Sequence, residues 1–327
     1  MTDRDALAKA FLNRIGWGDA AIAPLAGDAS NRRYLRVSGH SSAVLMDAPP
    51  EKGEDTTPFV QITDLLRERE FSAPQIFGAD PVNGFLLLED LGDALFARAV
   101  ANVAEKTLYA AAVDLLADLH QMPAPAELPR YDAATYRREA QLLTEWYLPG
   151  AGRDVDAAAF DALIDAACAP LLDANVVVLR DYHAENLIWL PERHGTARVG
   201  LLDYQDALAG HPAYDLVSLL EDARRDTSDA LRAAMFDRYI AATGLEQDAF
   251  AQAYATLGAQ RNIKILGIFA RLWLRDGKVT YLDLMPRVWA HLQRDLAHPA
   301  LNDLHDWIGQ NVPEPDATVR AKIRAAR

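Results

Sequence analysis

The sequence predicts an α+β chain of two lobes, the first small and β-rich, the second larger and mainly helical. Three observations lead there. Apolar runs of strand length, separated by charged residues, recur as far as Glu89. From about residue 94 apolar residues recur at helical spacing instead. Strand-like runs return between Val176 and Leu220, and there they border carboxylates and an amide. The change of character sets the expected boundary, with an N-terminal lobe over residues 1–92 and a C-terminal lobe over 93–327.

In chain order, Leu7, Phe11, Leu12 and Ile15 predict a helix over 2–15, capped by Thr2 or Asp3 and ended by Gly16-Trp17-Gly18. Ala23 to Val37 reads as strand, small-residue turn and strand, and Ala43 to Asp47 as a third strand. Residues 58–69 form a helix with Pro58 at its start. Phe71–Phe77 and Phe85–Leu88 are expected strands, the second running into Glu89-Asp90-Leu91-Gly92. Helices follow over 104–122, 131–147, 156–169, 228–242 and 245–275, with the Pro-rich Met122–Pro129 as a connector. His120 closes the first of these helices, as a structural residue rather than a ligand.

Composition removes several classes of function. Half the residues are apolar and 24% charged over 327 residues, ordinary for a soluble globular protein and enough for two cores. A net charge of -14, from 33 basic and 47 acidic residues, argues against nucleic acid, for which a basic stripe is expected. It also weakens a reading as a binder of anionic membranes. The single cysteine, Cys168, cannot form an internal disulfide and reads as a small buried apolar residue in an Ala-rich helix. No apolar run has the length of a bilayer span, and no zinc-type Cys/His cluster is present. The start, MTDRDALAKAFL, carries acids early and no long apolar core, so no secretory signal is expected and the expected compartment is the cytoplasm. A monomer is expected.

The chemistry concentrates in VVVLRDYHAENLIWL and, after a short polar interval, RVGLLDYQDALAGHPAYDLVSLL. Asp181 and Asn186 have a D-x4-N spacing that suits phosphoryl transfer, and Asp203 follows one hairpin later. An Asp can accept the proton of an attacking hydroxyl, while an amide oxygen and a carboxylate are the hard ligands Mg²⁺ prefers beside the phosphates of ATP. The spacing alone is weak, because Asp306 and Asn311 repeat it in a helical-looking tail with no following strand and Asp. The surroundings single out the first copy: a strand enters it, a hairpin follows, and Asp215 opens the next helix.

These residues resemble the aminoglycoside phosphotransferase-like branch of the protein-kinase fold. One departure is Leu179, which stands where that family usually has His. The resemblance implies a bilobal protein-kinase-like fold with Asp181 as catalytic base, Asn186 and Asp203 as metal ligands, and Asp215 as structural support of the loop. It also implies a nucleotide-binding turn around Ser30, Asn31, Arg32 and Arg33, and an adenine cradle on the backbone around Glu89 and Leu91. A second departure is Met46, which stands where a small-lobe lysine is usual. Arg32 or Arg33 is a candidate for the missing positive charge.

The stretches GDASNRRYLRV, VLMDAPPE, FLLLEDLG, LRDYHAENL, LLDYQDALAGHPAYDLVSLLED and RNIKILGIFARLWLRDGK together look like the anomeric N-acetylmuramate/N-acetylglucosamine kinases of bacterial cell-wall recycling. That resemblance implies ATP and Mg²⁺ as cofactors, a small-molecule amino sugar as partner, and no role for nucleic acid or membrane. Arg261, Lys264 and Arg271 gather positive charge in an acidic chain and could line the acceptor site, or could equally be the basic edge of a core helix. Aminoglycosides, choline-like alcohols and a nucleotide-binding pseudokinase remain the alternatives.

Overall fold

The computed structural model of the chain describes residues 3–25 and 31–327. In chain order its elements begin with α1 (Asp3–Arg14), β1 (Ala21–Pro24), β2 (Arg33–Ser38), β3 (Ser42–Asp47) and α2 (Thr57–Glu68). They continue with β4 (Ile76–Asp80), β5 (Phe85–Glu89), α3 (Phe96–Ala99), α4 (Glu105–Leu119), α5 (Ala133–Ala140) and α6 (Leu148–Gly150). Then come α7 (Ala157–Cys168), β6 (Val176–Val178), β7 (Leu187–Trp189), β8 (Val199–Leu201), β9 (Leu208–Gly210) and α8 (Ala213–Leu220). The last are α9 (Asp229–Thr243), α10 (Gln247–Leu274), α11 (Met285–Leu296), α12 (Asn302–Asn311) and α13 (Ala317–Ala325).

Packing divides the chain into two compact units, residues 1–111 with 185–206, and residues 112–184 with 207–327. This differs from a single cut at 92/93, for a physical reason. The β7–β8 hairpin bonds back onto the first unit, with Trp189 N–H on Ala94 O at 2.8 Å and Leu201 N–H on Ser72 O at 3.0 Å. Ile188 and Leu190 complete an apolar cluster with Leu91.

The first unit is built on an antiparallel sheet in the order β1-β2-β3-β5-β4. Successive side chains of a strand point to opposite faces, and here the two faces do different work. Val37, Ala43, Leu45, Phe85 and Leu87 pack against Ala8, Phe11 and Leu12 of α1. Tyr34, Arg36, Val44 and Leu88 turn the other way and line a cavity. The strand expected over 71–77 forms only from Ile76 and runs to Asp80. Pro74 has no N–H to give a ladder, so Ser72 makes only an isolated bridge with Gly200.

In the second unit β6 pairs antiparallel with β9, Val176 opposite Gly210. A 28-residue helix, α10, runs through this unit with most of its length buried. A Cβ on Gly267 would stand 2.3 Å from the Leu142 carbonyl carbon, so only glycine lets α10 lie directly on the chain at that point. Helix α5 gives way to a π-helical turn over Leu143–Tyr147 rather than continuing as α-helix to residue 147. The second D-x4-N copy lies inside α12 with no strand after it, as expected. Cys168 is buried, also as expected. Among the described residues no helix is long and apolar enough to cross a membrane.

Candidate active site

The residues singled out from the sequence divide between the two units. Asp181, Asp215, Arg261, Lys264 and Arg271 belong to the second, and Asn31, Arg32, Arg33, Glu89, Leu91, Asn186 and Asp203 to the first. Ser30 lies outside the described residues.

In the second unit, β6 delivers Leu179, Arg180 and Asp181. Arg180 has φ 71°, a left-handed conformation that costs a side-chain-bearing residue free energy. Buried Asp215, in the first turn of α8, holds it there by accepting the Leu179 N–H at 2.6 Å and the Arg180 N–H at 2.8 Å. Ser218 Oγ, one turn on, donates to the Arg180 carbonyl at 3.2 Å, and Arg261 Nη2 donates to Ser218 Oγ at 2.8 Å. Tyr182 anchors the loop from the far side by donating its O–H to Ala112 O at 2.9 Å. Asp181 is exposed.

A charged network backs this loop. Arg180 pairs with Glu139, Lys264 Nζ lies 2.9 Å from the same Glu139 oxygen, and the Tyr131 O–H donates to the other. Burial alone would push Glu139 up, but Lys264 and Arg180 outweigh it and hold the carboxyl below its ordinary value. Burial likewise pulls Lys264 down, while Tyr214, Glu139 and Asp181 outweigh it and hold the ammonium above its ordinary value. His183 is driven down to about 4 by burial, partly offset by Asp222, so it is neutral near pH 7. Arg261 and Lys264 therefore stand with the Asp181 loop. Arg271 does not, being seven residues beyond Lys264, about 10 Å along the helix axis.

In the first unit, Asn186 immediately precedes β7 and Asp203 lies two residues past the end of β8. The Leu202 N–H bonds to Asn186 O at 3.0 Å, which ties the two ends of the hairpin together. The Asn186 amide then lies 3.5 Å from Asp203 Oδ2, and Gln205 Nε2 donates to Asp203 Oδ1 at 2.8 Å. Asp203 itself has φ 56°, the second non-glycine residue of the candidate site in the left-handed region. Both side chains open on a cavity of about 450 Å³, walled by Tyr34, Val44, Leu88 and Leu91 among others.

Glu89 and Leu91 line this cavity. The Glu89 side chain is held by Arg193 and by the Gln75 N–H at 3.1 Å, leaving the linker after β5 fixed at its start. Arg36 fixes the rest, at 2.8 Å from both Asp90 and Asp93. Asn31, Arg32 and Arg33 are not brought to the cavity wall. Arg32 Nε bonds Glu54 at 2.8 Å, and the Asn31 N–H turns to Glu54 as well. Arg33 sits opposite Asp47 in the β2–β3 register, on the α1 face of the sheet, and pairs there with Asp47 and Asp5. Alternation along β2 makes this unavoidable once Tyr34 faces the cavity. Met46 is buried, and among the described residues the cations on the wall are Arg36 and Arg98. Arg36 is one of the cations the sequence offers near the missing lysine, beside Lys52, Arg32 and Arg33, whereas nothing in the sequence marks Arg98. Nothing in sequence marked Glu139, which lies in a charged helix segment and gains its role through tertiary contacts alone.

A family model described as the phosphotransferase enzyme family matches residues 21–253. The chain belongs to that family. It is 42% identical to the N-acetylmuramate/N-acetylglucosamine kinase of Caulobacter vibrioides, over 95% of this chain and 98% of that one. Identity to the protein of the same name from Pseudomonas putida is 36%, over 93% of this chain and 92% of that one. Among solved structures, a choline/ethanolamine kinase family protein from Mesorhizobium loti superposes with a TM-score of 0.63 at 13% identity, covering 98% of this phosphotransferase and 99% of that chain. The GDP complex of the aminoglycoside 2'-phosphotransferase-IIIa superposes with a TM-score of 0.62 at 15% identity, over 90% and 99% of the two chains. These likenesses establish the bilobal, protein-kinase-like α+β fold and an ATP-dependent phosphotransferase.

Proposed function

We propose that this phosphotransferase moves the γ-phosphoryl group of ATP to the anomeric C1 hydroxyl of N-acetylmuramate, N-acetylglucosamine or both, within peptidoglycan recycling. The observation that supports it is the 42% identity, along nearly the whole chain, to a protein bearing that name. In this reading residues 1–92 form the nucleotide-binding lobe and residues 93–327 the catalytic and acceptor-binding lobe, whose β7–β8 hairpin brings Asn186 and Asp203 to the nucleotide cavity.

Asp181 accepts the proton of the C1 hydroxyl as that oxygen attacks the γ-phosphorus. The bond from the γ-phosphorus to the β–γ bridging oxygen breaks, and ADP leaves. Asp215 and Ser218 keep Asp181 on a loop that cannot relax to an ordinary backbone conformation. Backbone groups around Glu89 and Leu91 take the adenine. Arg261 and Lys264 supply positive charge on the acceptor side, where the lactyl carboxylate of N-acetylmuramate needs it, with Arg271 further along the same helix.

Mg²⁺ fits the remaining pair. An amide oxygen and a carboxylate are hard donors, and an ion that keeps water and phosphate oxygens needs few protein ligands. Asn186 and Asp203 offer that set, and no group of three or more His, Cys, Asp or Glu side chains suited to a metal occurs among the described residues. When bound there, the ion neutralises charge on the β- and γ-phosphate oxygens.

Acceptor-dependent ADP release tests the reading, with both amino sugars, an aminoglycoside and choline offered in turn. Release with an amino sugar and with neither other acceptor is expected. Release only with the aminoglycoside or choline replaces the substrate, and no release with any acceptor brings back the pseudokinase.

A further inference from the structure

Kinase-like sites that carry a strand lysine pair it with a helix glutamate. Here the strand offers Met46, 1% exposed, and the inward residues of α2 are Phe59, Ile62, Thr63 and Leu66. The acids of α2, Asp64 and Glu68, face outward. A different connection runs from α2 to the metal-ligand candidate. Tyr204, immediately after Asp203, is 1% exposed and stacks on Phe59 with ring centroids 5.0 Å apart. Its phenol oxygen lies 2.8 Å from Thr63 Oγ1. Thr63 Oγ1 donates its one proton to Phe59 O at 2.7 Å, so the bond between the two hydroxyls has Tyr204 as donor. Every group in this chain is buried and has a partner.

We propose that Tyr204 is a positioning residue for the Mg²⁺ site, holding Asp203 to α2 through its bond to Thr63 and its stack on Phe59. Asp203 needs such a hold, because its φ of 56° is unfavourable for a residue with a Cβ. Fixing Tyr204 on one side and bonding Gln205 Nε2 to Asp203 Oδ1 on the other leaves the carboxylate one orientation beside Asn186. The Tyr204–Thr63 bond thereby takes over the coupling of α2 to the phosphate end of the site. This inference rests on the reading of Asp203 as a metal ligand.

The test compares Tyr204→Phe, Thr63→Val and Thr63→Ser with the unaltered protein. Calorimetry reads ADP binding with and without Mg²⁺, and turnover reads the apparent Mg²⁺ constant. Outer groups that orient a metal ligand are worth about 10- to 100-fold in metal affinity. Tyr204→Phe and Thr63→Val should each weaken Mg²⁺-dependent ADP binding by about tenfold, leave Mg²⁺-free binding unchanged, and add nothing when combined. Thr63→Ser keeps the acceptor oxygen and should restore the unaltered behaviour. Variants that lose thermal stability but keep their Mg²⁺ dependence would reduce Tyr204 to packing and overturn the proposal. Asp203→Asn is measured alongside: unchanged Mg²⁺ dependence in that variant removes the metal-ligand reading itself, a distinct failure.

Discussion

Asp215 accepts the backbone N–H of Arg180 at 2.8 Å, and that bond holds a residue with φ 71° one position before the proposed base. The second oxygen takes the Leu179 N–H at 2.6 Å, so both lone-pair faces of one carboxylate serve one loop. Asp215→Asn turns a donor toward one of those amides. Leaving a buried amide donor without its acceptor costs about 1–3 kcal/mol, read as a lower denaturation midpoint. Turnover should fall with it while ADP binding stays unchanged, because Asp215 does not line the cavity on which Asn186 and Asp203 open.

The same carboxyl gives a pH signature. Burial pushes Asp215 up to about 7, against the Leu179 and Arg180 amides that pull it down. In the unfolded chain it ionises near 4. Between those values the folded state keeps a proton that the unfolded state has lost, so this group's contribution to stability falls as pH rises from about 4 to about 7. Urea midpoints across that range should fall more steeply for the unaltered protein than for Asp215→Asn. Parallel curves would contradict the assignment.

Asp181→Asn should lower turnover on the order of 10²–10⁴-fold, the worth of a positioned general base. ADP affinity should stay as it was. Single-turnover rates and calorimetry on the same sample separate the two effects, and near-normal turnover would dismiss Asp181 as the base.

Glu139→Gln leaves Arg180 and Lys264 close together without the carboxylate they share. Breaking a buried ion pair from one side costs about 3–5 kcal/mol, so a large fall in melting temperature is expected. The loss should be smaller in Glu139→Gln combined with Lys264→Met, where one of the two uncompensated charges is gone.

Arg33→Ala should leave the KM for ATP unchanged, because Arg33 is bound to Asp47 and Asp5 on the α1 face. Buried Asp47 keeps Arg4 as a partner, so the cost to stability is about 2 kcal/mol. A raised KM for ATP would return Arg33 to the nucleotide site.

Much of this architecture was legible because short-range chemistry carries it. Phe85–Leu88 ran apolar into Glu89, and a strand ends there; Val176–Leu179 met Arg180 and Asp181, and the chain leaves the sheet there. Leu208–Gly210 was missed, since three small or apolar residues give no period to read, and their pairing with Val176–Val178 is long-range. The placement of Arg33 was hidden for a similar reason. Side-chain type announced a cation, but which face of β2 it occupied depended on the register with Asp47. Glu139 and Thr63 take their roles from residues 41 and 141 positions away, beyond any local pattern.

The central claim is phosphorylation at the anomeric position, and ³¹P NMR with Mg²⁺-ATP and each amino sugar reads it directly. The account predicts a sugar 1-phosphate signal that grows as the γ-phosphate of ATP declines and is absent without sugar. A signal from phosphate on any other hydroxyl, or ATP left intact with both sugars, would contradict it.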